Sequence, residues 1–135
     1  MTDFSGKYKQ ISSNNADGLL KELGASDEVA NKVKASLQDL EITQNGNEFV
    51  QKSISAAGTQ EIKFELGKEF EEKRMDGRTV NSVVVADGNK LIKTTKDPVK
   101  NKELKVVTEL NGTELKVTAT VVGTSVTATG VYTKQ

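Results

Sequence analysis

The sequence predicts an all-β protein of about ten antiparallel strands, arranged as a sandwich or a barrel. Turn signals recur along most of the chain at roughly the 8–12-residue spacing that is typical of these folds. The runs between them alternate apolar and polar residues, as strands with one buried face do. The clearest stretch, residues 103–133, holds three such runs, joined by Asn111-Gly112 and by a second turn at residues 123–125.

The apolar phase of this stretch predicts the inner face of a sheet. It comprises Leu104, Val106, Thr108, Leu110, Leu115, Val117, Ala119, Val121, Val126, Ala128, Gly130 and Tyr132. The opposite phase carries lysines, threonines and Glu109, which suits contact with water. Asn111-Gly112 is typical of a type I′ hairpin turn, because both residues tolerate positive φ.

The remaining strands are predicted between turn residues such as Asn45-Gly46 and Asp87-Gly88. They are placed at residues 4–13, 41–43, 48–54, 60–66, 70–74, 79–85 and 90–95. Consecutive tight turns predict an up-and-down meander, and closing that meander would remove its exposed edges.

Two short helices are predicted between the first and second strands. Asn15 and Ser26 are the candidate N-caps, and Gly24 suits the position just beyond the first helix. Apolar residues recur at helical spacing in both helices, at Leu19, Leu20 and Leu23 and then at Val29, Val33 and Leu37. A DNA-binding helix-turn-helix needs a basic recognition helix, which is missing, so the pair is predicted to form a lid.

Composition excludes several classes of function. The chain has 135 residues, which predicts one domain over residues 1–135. Lys+Arg and Asp+Glu are both 19, so no net basic field would attract nucleic acid. Without cysteine or histidine there are no thiolate metal sites and no common general base, and we expect no cofactor. Neither a signal peptide nor a membrane-length apolar run is evident, so we expect a soluble, cytoplasmic monomer.

A series of motifs then occurs in order along nearly the whole chain. The series comprises GKYK at residues 6–9, LKELG at 20–24, ITQNG at 42–46, EIKFELGKEF at 61–70, MDGRTVNSVV at 75–84, GNKL at 88–91 and VTELNG at 107–112. It resembles the intracellular lipid-binding proteins, the fatty-acid-binding-protein family, and VTELNG is similar to the liver-type branch of that family.

The resemblance implies a closed, lipocalin-like (calycin) up-and-down barrel of ten antiparallel strands under a helix-turn-helix lid. It also implies non-covalent binding and intracellular transport of a hydrophobic ligand, foremost a long-chain fatty acid, in an internal cavity. Affinity would come mainly from moving apolar ligand surface out of water, at roughly 25 cal/mol per Å².

The expected head-group site departs from the family pattern. Many members hold the ligand carboxylate with two inward arginines and a tyrosine, and a planar guanidinium suits such a carboxylate. The resemblance places the arginines where this chain has Thr108 and Gly130, so only Tyr132 matches. The missing clamp raises an alternative ligand, a bulkier or neutral lipid such as a retinoid, a bile salt or a sterol-like molecule.

Two arginines nearby are candidates to replace the clamp. Arg74 and Arg78 alternate with Glu72 and Asp76 along one run and its turn. They would form a displaced head-group site with Tyr132, or they would only pair with the two acids, since a buried charge needs a partner.

Further ligand-binding candidates are drawn from the wall and the entrance. The predicted wall comprises Val106, Thr108, Val117, Ala119, Val126, Ala128 and Tyr132, and the predicted portal comprises Leu23, Val29, Val33, Ala57 and Gly58. Ala57 stands where the family often has a phenylalanine gate. Small residues there and at Ala119, Ala128 and Gly130 predict a roomy cavity, unless large neighbours fill the space.

Two other roles have some support in the sequence. The carboxylates of residues 69–72 could serve a hydrolase, but alternation along a strand favours a solvated face, and the missing histidine argues against catalysis. Transient membrane contact is the other, since Lys21, Lys32 and Lys34 near the lid would each contribute about 1 kcal/mol at an anionic surface.

Overall fold

A computed structural model describes residues 2–24, 26–28, 31, 37–55, 58–73, 79–97 and 102–135 of the chain. Its elements run in the order β1 (Gly6–Asn14), α1 (Ala16–Glu22), β2 (Asp39–Asn45), β3 (Glu48–Ser55), β4 (Gly58–Glu65), β5 (Phe70–Lys73), β6 (Thr79–Asp87), β7 (Lys90–Asp97), β8 (Lys102–Asn111), β9 (Glu114–Val121) and β10 (Thr127–Lys134). The ten predicted strands are confirmed, with boundaries that differ by a few residues.

All ten strands belong to one antiparallel sheet that curves into a nearly closed barrel. Its spatial order is β4-β3-β2-β1-β10-β9-β8-β7-β6-β5, so the first and last strands of the chain pair with each other. The gap lies between β4 and β5, which no backbone pairing joins among the described residues. The rings of Phe64 and Phe70 stack across this gap with centroids 5.5 Å apart. The predicted up-and-down barrel is confirmed.

The hairpin after β8 differs from the predicted type I′ turn. Asn111 pairs with Glu114, which leaves Gly112 and Thr113 as the two central residues. Gly112 has φ 63°, whereas Asn15 is the one non-glycine residue with positive φ in the described part of the chain. A positive φ at the first central position alone is the pattern of a type II′ turn. Because of the register of β8 with β9, the two turn residues are Gly112 and Thr113, one position later than the predicted Asn111-Gly112.

Helix α1 begins after Asn15 and packs against β9 and β10. Asn15 stands at the predicted N-cap position, but with φ 61° it makes no capping hydrogen bond. Its Nδ2 instead donates to the carbonyl oxygen of Thr127, 3.1 Å away, which ties the start of the helix to β10. Gly24 takes the predicted place beyond the helix, with φ 89°.

The second lid helix falls largely outside the described residues. Asp27, Glu28 and Asn31 are described, and each is helical, whereas Val29 and Val33 of the predicted stripe lie outside the described residues. Leu37, the third residue of that stripe, is not helical and is 54% exposed, so its predicted place on the apolar face of the helix is wrong. No helix in the described ranges is long and apolar enough to cross a membrane.

The buried apolar side chains form two clusters. The barrel core consists of Phe4, Tyr8, Leu40, Ile42, Phe49, Phe64, Val84, Leu91, Leu110, Leu115 and Tyr132. The lid cluster consists of Leu19, Leu23, Val121 and Ala128, with Leu104, Ala119 and Val126 packed against it. The two clusters lie towards opposite ends of β9 and β10, and the inner faces of β7, β8 and β9 continue between them.

Candidate functional site

The predicted wall residues of β8, β9 and β10 lie in rows across the sheet. Thr108 pairs with Val117, which pairs with Gly130. In the next row Val106 pairs with Ala119, which pairs with Ala128. These rows continue the phase of Leu110, Leu115 and Tyr132, which are buried in the barrel core. The alternation read from the sequence therefore identified the inner face of these three strands.

The wall residues divide into two environments. Ala119, Val126 and Ala128 pack in the lid cluster with Leu19 of α1 and with Leu23, which follows the helix. Val106, Thr108 and Val117 face inward from β8 and β9 and remain only half-buried. Because closely packed core positions would exclude water from such side chains, their remaining exposure indicates open space inside the barrel between the two clusters.

Gly130 does not leave room in the interior, contrary to the roomy cavity predicted there. A Cβ atom on Gly130 would lie 2.8 Å from Nε2 of Gln10 and 3.3 Å from Cε1 of Tyr132. The position is therefore not empty, since the side chains of Gln10 and Tyr132 already occupy the volume that a side chain would need. An arginine at this position would have to displace both side chains.

Tyr132 is buried and belongs to a network of neutral amides. Nε2 of Gln38 donates to its phenolic oxygen over 2.5 Å. The backbone N–H of Gln38 donates to Oε1 of Gln10 over 2.9 Å, and Nε2 of Gln10 donates to the carbonyl oxygen of Ser12. Burial raises the pKa of Tyr132, and the Gln38 bond offsets part of that rise. The hydroxyl therefore keeps its proton at neutral pH and can donate it to a carboxylate.

An inward ion pair is the other polar feature of the interior. Nζ of Lys93 on β7 lies 2.8 Å from Oε1 of Glu72 on β5, and the two side chains are 20% and 11% exposed. Neither Lys93 nor the two glutamines was predicted as a site residue. Lys93 could have been found, because it shares the apolar phase of its strand with Leu91. Gln38 gave no local signal, since it lies in the segment before β2.

Several predicted site residues lie outside the described residues. They are Arg74, Arg78, Val29, Val33 and Ala57. Of the other portal candidates, Gly58 is exposed at the start of β4, whereas Leu23 is 4% exposed and packs in the lid cluster. Leu23 thus anchors the lid to the barrel, and its part in ligand entrance stays a prediction.

Comparison with known proteins gives a consistent result. Residues 5–130 match the family model described as lipocalin / cytosolic fatty-acid binding protein family. A fatty acid-binding protein of Lepidoglyphus destructor is 41% identical over 124 residues, which cover 91% of this chain and 92% of the relative. A liver-type fatty acid-binding protein of Takifugu rubripes is 38% identical over 107 residues, 79% of this chain and 81% of the relative.

The same fold is found in solved structures of fatty-acid-binding proteins. A Schistosoma mansoni fatty acid binding protein in complex with arachidonic acid superposes with a TM-score of 0.91 at 31% identity. That superposition covers 100% of this chain and 98% of the other.

Proposed function

The chain belongs to the lipocalin / cytosolic fatty-acid binding protein family, and we propose that it binds a long-chain fatty acid non-covalently inside the barrel and carries it within the cell. The observation that carries this proposal is the match of the whole chain to a structure that holds arachidonic acid. The named relatives favour a fatty acid over the neutral, retinoid-like or sterol-like alternative.

The inner wall supports this role physically. An acyl chain next to Val106 and Val117 would lose contact with water, and apolar burial contributes roughly 25 cal/mol per Å². After the cost of ordering the chain, micromolar or tighter binding is the expected range. Tyr132, with its retained proton, is the proposed donor to the carboxylate, and Arg74 and Arg78 stay candidate partners of the head group.

The remaining proposals concern the class of protein, its location and its contact with membranes. The family is one of lipid carriers, so we propose that this chain is a carrier and not an enzyme. We propose that residues 1–135 form a single domain that acts as a monomer, and we propose a cytosolic location, in keeping with the family description. Transient contact of the lid with anionic membranes, through Lys21, Lys32 and Lys34, is proposed as the route by which ligand is exchanged.

Titration of the delipidated protein with oleate in a calorimeter tests the central proposal. We expect micromolar or tighter affinity and a negative change in heat capacity, because apolar surface is buried. Val117→Trp should fill part of the interior and lower the affinity by about tenfold. Thr118→Trp is the matched control, because Thr118 is the next residue of β9 and lies on its outer face. It pairs there with Val107 of β8.

Two outcomes would count against the proposal. Delipidated protein that binds neither oleate nor arachidonate would refute fatty-acid binding. Equal effects of the two tryptophan variants would place the ligand outside the barrel. Thermal unfolding of both variants serves to show that each remains folded under the conditions of the titration.

A further inference from the structure

Lys93 is a charged residue in an otherwise apolar row of the inner wall. It pairs with Val84 on β6 and with Val106 on β8. The inward residues on either side of it along β7, Leu91 and Thr95, are 4% and 3% exposed. A lysine ammonium is costly to withdraw from water, and lysine is rarely found inside unless its charge is paired.

Glu72 supplies that pairing from a strand that is not adjacent. It lies on β5, where it pairs with Val80 of β6, so β6 separates the acid from Lys93. The two side chains meet over the inner face of β6, with Nζ and Oε1 2.8 Å apart. The contact therefore runs along the inner wall across β6, and the ammonium faces the barrel interior.

The space next to this ammonium is the open part of the interior. Val106, its direct neighbour, and Thr108, its diagonal neighbour on β8, face inward and are half-buried. An ammonium has three N–H donors. Among the described residues, Glu72 is the one hydrogen-bond acceptor of Lys93. Donors thus remain on a cation that borders the space in which an acyl chain would lie.

We propose that Lys93 is the cation that receives the carboxylate of the bound fatty acid, and that Glu72 competes with the ligand for it. This inference rests on the proposed function, because it assigns a residue to the head group of the proposed ligand. In the ligand-free barrel the Glu72 carboxylate neutralises the charge of the ammonium and accepts one of its hydrogen bonds. A ligand carboxylate makes the same charge-assisted contact, so it must share or replace that bond. Glu72 therefore lowers the preference for an anionic lipid over its neutral analogue.

The test measures the affinities of oleate and of oleyl alcohol, which differ only in the head group. Their ratio is compared in the wild type, Glu72→Gln and the double variant Lys93→Met/Glu72→Gln. Glu72→Gln removes the competitor and should raise the ratio in favour of oleate. The double variant also removes the ammonium, and it leaves no unpaired carboxylate because Glu72 is already neutral. Its ratio of oleate affinity to oleyl alcohol affinity should fall about tenfold or more below that of Glu72→Gln.

Lys96→Met is the matched control. Lys96 lies on the outer phase of the same strand, 3.8 Å from Glu103, so its loss should leave the ratio unchanged. Arg78→Met is measured in parallel. An equal ratio in Glu72→Gln and the double variant would overturn the assignment, as would a lowered ratio in Arg78→Met alone. Binding of oleate by the wild type keeps these outcomes separate from a failure of the proposed function itself.

Discussion

Gln38 donates a hydrogen bond to the phenolic oxygen of Tyr132, and the two heavy atoms lie 2.5 Å apart. The bond joins β10 to the segment that follows the lid, across 94 positions of sequence. Gln38 is itself held to Gln10, whose backbone N–H donates to the Gln38 carbonyl oxygen over 3.1 Å. The tyrosine that the family resemblance assigns to the head group is therefore positioned by neutral amides.

The buried phenol of Tyr132 should make stability depend on pH in the alkaline range. Burial raises its pKa above the ordinary value of 10.0, so the unfolded chain loses this proton at lower pH than the folded chain does. The stabilising contribution is complete below pH 10.0 and is lost as the pH rises through the folded pKa. Urea unfolding measures the free energy of unfolding of the wild type and of Tyr132→Phe, and the difference between the two proteins should shrink above pH 10.0. A difference in unfolding free energy that does not depend on pH would contradict this assignment. Tyr8 also has a raised pKa, but it is present in both proteins, so its contribution cancels in the difference.

Gly130→Ala should destabilise the barrel, because its Cβ would meet Nε2 of Gln10 at 2.8 Å. The end of the Gln10 side chain would have to shift, which weakens its hydrogen bonds to Ser12 and Gln38 at a cost of about 0.5–1.5 kcal/mol each. Gln10→Ala removes the obstructing atom, so Gly130→Ala should cost less in that background, although Gln10→Ala itself loses two hydrogen bonds. Urea unfolding of the four proteins measures the coupling. Strict additivity of the two costs would show that Gln10 does not fill this space.

Lys102 should hold the end of α1 against the barrel. Its ammonium donates to the carbonyl oxygen of Glu22 and lies 3.8 Å from the Glu22 carboxylate. A cation at a helix C-terminus is favourable, but these side chains are about one-third exposed, so screening keeps the effect on global stability small. Lys102→Met should accelerate hydrogen exchange in α1 about two- to fivefold. Lys105→Met, an exposed position on the same strand, is the control, and equal exchange in both variants would refute the role of Lys102.

Phe64 should be the main apolar contact across the gap between β4 and β5. Its ring stacks on Phe49 at 5.1 Å and on Phe70 at 5.5 Å, and the residue is 7% exposed. Phe64→Ala should lower the free energy of unfolding by about 3–5 kcal/mol. Val85→Ala, at a position that is 46% exposed, should change it by less than about 0.5 kcal/mol. Similar losses in the two variants would show that the ring stack contributes little to closing the gap.

Alternation along the chain predicted most of the fold. Whether a strand residue faces inward depends on its local phase, so the inner positions of β8, β9 and β10 could be identified without any partner. The turn after β8 was predicted less well. Asn111-Gly112 is a strong local signal, yet the pairing of Asn111 with Glu114 decides which residues form the turn.

The polar interior was predicted poorly. Thr108, Gly130 and Tyr132 were placed on the inner face correctly, but their surroundings come from strands distant in sequence. Gln10 on β1 fills the space above Gly130, and Gln38 bonds to Tyr132. The lysine on the apolar phase of residues 90–95 is a local signal of a polar site inside the barrel. Its partner on β5 becomes apparent only when both strands lie in one wall.

The sequence by itself determined the strands, their inner faces, the place of the first lid helix and, through its motifs, the family. These follow from periodicity and local conformational preference, which act over a few residues. Only the tertiary structure decided which inner positions are filled and which border open space. Packing depends on side chains that approach from non-adjacent strands, and for that reason Gly130 is crowded while Val106 and Lys93 face the interior.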